Sequence, residues 1–392
     1  MSASVPTQRT AVQPAEVALT PSAAAIADIS SAPAAAGARF FHASAASTPD
    51  ETALASWWCR FCDPLLDRLI EATLVQGYEV CAAALRLQSR CARAPGSGSG
   101  SGSGQDDAAR AVAGHAFAEA ADEAVLYDYY SVRLRQIAIT ARHYFLALSL
   151  QERIACTDAA IAAEAATMRR THPHHDANAA TTHHGDTRPA MLADLHAHRI
   201  RLRAQWDAAV IALSHQTAEP LPKLVALMRD QRLPGACAES PALGGPERVR
   251  LRRPDVLAQA ERAAAAGEDR YAARLAALGC EQREDQALKE VELALATLAA
   301  AQAELLPVRA SAASAEAQCQ RVRRSADPRA RFERLRALHA FRDREIETRG
   351  RTYLALVDVF HAAGCGWPGL ADLTLSGQAP SDHLPPDQGI PA

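Results

Sequence analysis

The chain has 392 residues, 48% of them hydrophobic but only 5% aromatic, with a net charge of −3 and a pI near 6.5. That charge balance excludes a general nucleic-acid binder, which carries a clear basic excess. The length allows two or three average domains, or one long bundle with disordered flanks. Alanine dominates the apolar fraction and strand-like alternation of β-branched residues is hard to find, so the expected fold class is all-α.

Nine cysteines, an odd number with no regular framework, fit buried free thiols in a reducing cytosol better than a secreted disulfide scaffold. No run approaches the roughly 18–20 consecutive apolar residues of a transmembrane helix. The N-terminus lacks a basic segment followed by a compact apolar core, so no signal peptide is expected.

Residues 1–50 are rich in Ala, Ser, Thr and Pro, with almost no large apolar side chain before Phe40 and Phe41. They cannot bury enough surface to offset ordering entropy and are expected to be disordered, as is the tail 366–392. A helical domain is expected between them, over 51–365. Its first helix is placed from Pro49–Glu51 to about Ala94, with stripes at Cys62, Leu65, Leu69, Ala72 and at Leu66, Ile70, Leu74, Cys81. A Gly-Ser linker, residues 95–104, ends it.

From His115 to His172 there is no Gly and no Pro. An unbroken helix of that length would extend roughly 85 Å at about 1.5 Å per residue. Leu126, Tyr130, Leu134, Ile137, Ala141, Tyr144 and Leu148 keep a 3–4 spacing, the seam of a coiled coil or long bundle. A His-rich loop, 171–189, breaks the pattern. Helix resumes from about Met191 to Arg232, interrupted by Pro220 and Pro222, before a basic Pro/Gly loop, 233–254. From Asp255 onward, Leu288, Val291, Leu295, Leu298 and Leu305 form a second seam, with Pro307 expected to kink the helix without necessarily ending it. A last helix follows Pro328 and runs toward Trp367.

Chemical motifs are sparse. Cys59 and Cys62 form a CxxC without a second half-site; on a helix that spacing puts two small hydrophobic thiols on one face. Seven of the fourteen histidines fall between His172 and His198, a low-complexity spacing that fixes no ligand geometry. No catalytic residue, metal site or cofactor is expected. Arginine clusters are the sharpest functional signal: Arg248, Arg250, Arg252 and Arg253 in the basic loop, then Arg169, Arg170, Arg199, Arg201, Arg203, Arg321, Arg323 and Arg324. Basic groups near an anionic leaflet contribute about 1 kcal/mol each, so these are the expected membrane-binding residues.

At LYDYYSVRLRQIAITARHYFLAL the sequence resembles the BAR domains of the sorting-nexin class, with Asp128, Tyr129 and Arg142 at matching positions. The end, RFERLRALHAFRDREIETRGRTYLALVDVFHAAGCGW, is similar to that family's third helix, with Arg331, Phe332 and Trp367 in its places, and LVQGYEVCAAALRL resembles the end of its first. No PX domain is evident upstream, and 171–254 looks like an insertion. The resemblance implies an elongated antiparallel coiled-coil bundle of long kinked helices, paired as a homodimer or as a heterodimer with another BAR protein. It implies binding to anionic phospholipid membranes, phosphoinositides included, and curvature sensing or induction from the cytoplasmic side of endosomal or other tubular membranes. A coiled-coil structural protein of the cytoskeleton or another large assembly, without lipid binding, is the rival expectation. A helical enzyme or metal protein built on the His-rich loop is the third.

Overall fold

In the computed structural model, the described residues are 40–42, 49–91, 105–171, 188–235, 239–266, 269–322 and 328–368, and no β-strand occurs among them. The helices are α1 (Glu51–Ala55), α2 (Pro64–Gln76), α3 (Tyr78–Cys91), α4 (Gln105–Thr171), α5 (Arg188–Thr217), α6 (Leu221–Met228), α7 (Pro246–Arg252), α8 (Pro254–Ala264), α9 (Arg270–Val322) and α10 (Pro328–Ala362). A 3-10 turn, Trp57–Phe61, separates α1 from α2.

Prolines decide where the expected elements break. The single helix expected over 49–94 divides at Pro64. A proline disfavours the helical region for the residue before it, and Asp63 is extended at φ −114°, ψ 99°. Pro64 then serves as the first helical residue, where its missing N–H costs nothing, and the Asp63 carboxylate caps Leu65 and Leu66. The same device remakes the basic segment expected as a loop over 233–254. Pro246 opens α7, Arg253 is extended, and Pro254 opens α8. Pro307, by contrast, sits inside α9, which runs on through it for 53 residues.

The chain repeats one plan twice. A pair of short helices (α2, α3) precedes the 67-residue α4 and its 30-residue return α5; a second short pair (α7, α8) precedes α9 and its 35-residue return α10. At 1.5 Å per residue, α4 is about 100 Å long.

Ion pairs fix the order and direction of neighbours. Arg199 of α5 meets Asp158 of α4 at 3.2 Å, and Arg142 and Arg153 of α4 meet Asp358 and Asp343 of α10 at 2.5 and 2.8 Å. Arg342 and Arg351 of α10 meet Glu316 and Glu304 of α9, each at 3.0 Å. As one partner's number rises the other's falls, so α4 and α10, like α10 and α9, are antiparallel. The resulting layer is α5–α4–α10–α9. Toward the other end α3 packs beside α4, and α8 is wedged between α4 and α9.

The main core is a seam along this layer. Trp57 stacks on Phe360 with centroids 4.7 Å apart, Phe61 meets Phe145 edge-on at 4.9 Å, and Phe145 stacks on Tyr353 at 5.1 Å. Gly350 lets α10 approach α4 closely: a Cβ there would collide with Ser149 Oγ. At the end of α10, Gly364 adopts φ +73° while Cys365 N–H donates back to the Phe360 carbonyl at 2.9 Å, a left-handed helix stop that favours glycine.

Two flank expectations need correction. Phe40 is buried in the core, though residues 1–39 lie outside the described residues. Trp367, expected at the start of the tail, is 3% exposed; it packs on Tyr130 and donates from Nε1 to the Arg252 carbonyl at 2.8 Å. The Gly-Ser linker and most of the His-rich loop lie outside the described residues. Of Cys59, Cys62, Cys81, Cys156, Cys280, Cys319 and Cys365, only Cys319 and Cys365 are buried, so general thiol burial is not what the fold provides.

Candidate functional site

The two edges of this open layer carry most of its unusual surface. On the α9 edge, Tyr271, Leu275, Leu278 and Leu293 share a helical face; Tyr271 is 84%, Leu275 73% and Leu293 69% exposed. Leu306, further along α9, is 71% exposed. On the opposite edge, Ile200 and Ile211, three turns apart on α5, are exposed, as are Val75, Tyr78 and Leu85 around the α2–α3 junction. Apolar side chains in rows along both edges of one layer form surfaces that a partner would cover. α9 also holds a window apolar enough to cross a membrane by length and composition, a third of it buried.

Between the edges the layer is stitched by charge. Arg153 makes two hydrogen bonds to Asp343, at 2.8 and 3.0 Å, and both side chains are about 15% exposed. His198 Nε2 lies 3.4 Å from the same carboxylate, and the cations around Asp343 hold its carboxyl below the usual range despite burial. Arg349 pairs with Glu152, which also accepts from Leu233 N–H at 2.7 Å. The Gln151 amide donates to the carbonyls of Met228, Arg229 and Gln231 at 3.0–3.1 Å. These bonds strap α6 and the chain after it across the middle of α4.

A recess of about 540 Å³ opens between α4, α8, α9 and α10. Four arginines line it: Arg142, Arg253 and Arg283 pair with Asp358, Asp255 and Glu290, and Arg135 reaches Glu79 outside the recess at 4.0 Å. Among the described residues no three His, Cys, Asp or Glu side chains converge as metal ligands.

The expected membrane-binding arginines are used differently. Arg252 and Arg253 are 5% and 6% exposed: Arg252 grips Glu51 and the Leu243 carbonyl, and Arg253 grips Asp255, Glu290 and the Ala362 carbonyl. Arg248 pairs with Glu51, and Arg250 with Glu284. Folding brings Glu51, Glu284 and Glu290 from distant positions, so Arg252 and Arg253 form an internal clasp, Arg250 is half-buried and Arg248 stays exposed. Arg199 pairs with Asp158, Arg203 pairs with Asp207 and lies over the Trp206 ring, and Arg201 and Arg321 are exposed. Arg169 and Arg170 lie on the α4 backbone, while Arg323 and Arg324 fall outside the described residues.

Ile137, Tyr144 and Leu148 pack with Val291, Leu295 and Leu298 in the main core, and Leu288 packs partly buried against it. Tyr130 and Leu134, with Leu126 against them, join a smaller cluster around Trp367, and Leu305 is buried too. Among the described residues α10 lies between the two seams and packs on both α4 and α9, so each seam is covered within the chain. The edge residues Leu293, Leu306, Tyr271 and Leu275 went unrecognised in the sequence. Their signal was present: α9 is apolar outside its heptad seam as well as within it.

No family model matches the sequence, and no curated protein matches it. Solved structures do match in fold. The outer-membrane channel OprN is 19% identical with a TM-score of 0.69, covering 83% of this chain and 97% of its own. The CmeC outer-membrane channel of Campylobacter jejuni is 14% identical, TM-score 0.68, covering 84% and 91%. The open state of the MtrE outer-membrane channel of Neisseria gonorrhoeae is 14% identical, TM-score 0.66, covering 84% and 95%.

These likenesses overturn the BAR resemblance: the chain is all-α among its described residues, but its helices follow the plan of outer-membrane channel chains. With the BAR fold go the crescent dimer with itself or another BAR protein, peripheral binding of anionic lipid and phosphoinositides, and the cytoplasmic endosomal location. The cytoskeletal alternative goes as well. The residues behind the resemblance have local roles instead: Asp128 pairs with Arg262, Arg142 with Asp358, and Trp367 plugs the α4–α8 cluster.

Proposed function

We propose that this chain is one protomer of a helical conduit of the outer-membrane channel type, formed when copies close edge to edge around a central passage. The observation that carries this reading is the fold shared with three such channels over more than four-fifths of the chain. The open layer supports it independently. Its two edges differ, α9 on one side and α3 with α5 on the other, and joining unlike edges head to tail generates a closed ring when the rotation per copy permits. Rows of exposed leucine and isoleucine on both edges provide the apolar surface that such a joint buries. The location this reading assigns is the outer membrane of a bacterial envelope, and its transport role is passage through the ring.

The test is to purify the full chain from bacterial membranes in detergent, measure its mass in solution, and reconstitute it into planar lipid bilayers. The reading expects a discrete oligomer and stepwise ion conductance. A monomer that leaves bilayers silent would refute it.

A further inference from the structure

Cys59 and Cys62 belong neither to the core nor to the edges. On a continuous helix they would be two small apolar side chains on one face; here they lie at the end of the 3-10 turn Trp57–Phe61, and both are exposed. Cys62 N–H donates to the Cys59 carbonyl at 3.0 Å, and Cys62 takes the left-handed conformation, φ 49°. A hydrogen-bonded four-residue turn holds its first and last Cα within about 7 Å. A disulfide spans about 4.4–6.8 Å between Cα atoms, so the turn brings the two cysteines to bonding reach.

The platform under them is fixed. Trp57, just before the pair, is 1% exposed and stacked on Phe360; Asp63, just after it, caps α2 and accepts from the Tyr144 hydroxyl at 2.6 Å. Closure therefore requires the two side chains to rotate, while the flanking backbone stays anchored.

We propose that Cys59 and Cys62 are a redox pair that closes into an intrachain disulfide by exchange with an external disulfide. One thiolate attacks the external disulfide and expels one thiolate from it. The second cysteine thiolate then attacks the mixed disulfide and expels the other. Two protons leave the pair, its sulfurs are oxidised, and the external disulfide is reduced to two thiols. Partial burial and the neighbouring Asp67 carboxylate push the Cys59 thiol up, which lowers its thiolate fraction at neutral pH. Such a pair suits a covalent brace better than a rapid exchange catalyst. The brace spans Arg60, which donates to the Glu239 carbonyl at 3.4 Å, and Phe61, which packs on Phe145.

The experiment equilibrates the full folded chain with reduced and oxidised glutathione at a series of ratios, alkylates remaining thiols, and digests it with trypsin without reductant. Cleavage after Arg60 separates the cysteines into fragments 40–60 and 61–68. The expected product at oxidising ratios is these two fragments joined, two hydrogen masses below their sum. In Cys62→Ser, Cys59 should instead carry glutathione. Fragments that remain unjoined at every ratio, or Cys59 joined to another cysteine, would overturn the proposal. Circular dichroism of the oxidised and reduced chains distinguishes either result from unfolding.

Discussion

Glu261 shows what burial does to a carboxyl group with no cation to compensate it. It is 2% exposed on α8 and faces Glu123 of α4, itself 5% exposed, with Tyr127 nearby, and its Oε2 has no hydrogen-bond partner. Desolvation, then the Glu123 charge and hydrogen bond, push it up to about 8. Its folded value thus lies above its unfolded one, so the native state holds a proton that the unfolded chain has released. The resulting stability is fully present below about pH 4.5 and is lost as pH rises through about 8. Thermal unfolding followed between pH 5 and pH 9 should show a falling midpoint, and Glu261→Gln should flatten that fall and gain about 1–3 kcal/mol at the alkaline end. An unchanged pH profile in the variant would contradict this account. None of it was legible in the sequence, because Glu123 and Glu261 meet only when α8 docks on α4. The same holds for Arg252 and Arg253, whose partners Glu51 and Glu290 lie far away along the chain.

At the scale of elements, helix packing sets sharper limits than helix propensity. Gly350 faces Ser149 where α10 crosses α4, with room for a hydrogen but not for a methyl group. Gly350→Ala should lose about 1–3 kcal/mol through overpacking, despite alanine's better helix propensity. Adding Ser149→Gly to that variant should recover part of the loss in chemical denaturation, which independent effects would not produce. Pro307 is the opposite case: it is exposed, within a continuous helix, and withholds one backbone donor. Pro307→Ala should raise the unfolding midpoint by the equivalent of about 1–3 kcal/mol. At the central stitch, Asp343→Ala leaves the largely buried Arg153 with Glu347, at 3.6 Å, as its remaining ion-pair partner among the described residues. A loss of about 1–3 kcal/mol is expected, discounted from a fully buried pair for the solvent that still reaches it.

At the scale of the whole molecule, the edges decide between a lone layer and a ring. Leu293 and Leu306 are 69% and 71% exposed on α9, so replacing both with Glu should leave helicity unchanged while abolishing the oligomer and its conductance. Light scattering that still shows the native oligomer for this variant would place the joint elsewhere.

The sequence by itself determined the all-α class and the long helix of α4, and its periodicity marked several of the side chains that are buried along α4 and α9. Those are local matters: periodic apolar residues and the absence of Gly and Pro act within one helix. Only the tertiary structure decided what the buried faces meet. An amphipathic seam specifies that it must be covered, not by which helix, so a dimer of crescents and a layer folded on itself present the same stripe. The charges were ambiguous for a related reason. A run of arginines reads as a surface until folding brings distant carboxylates to it, and here that pairing buried Arg252 and Arg253 of the expected lipid-binding segment.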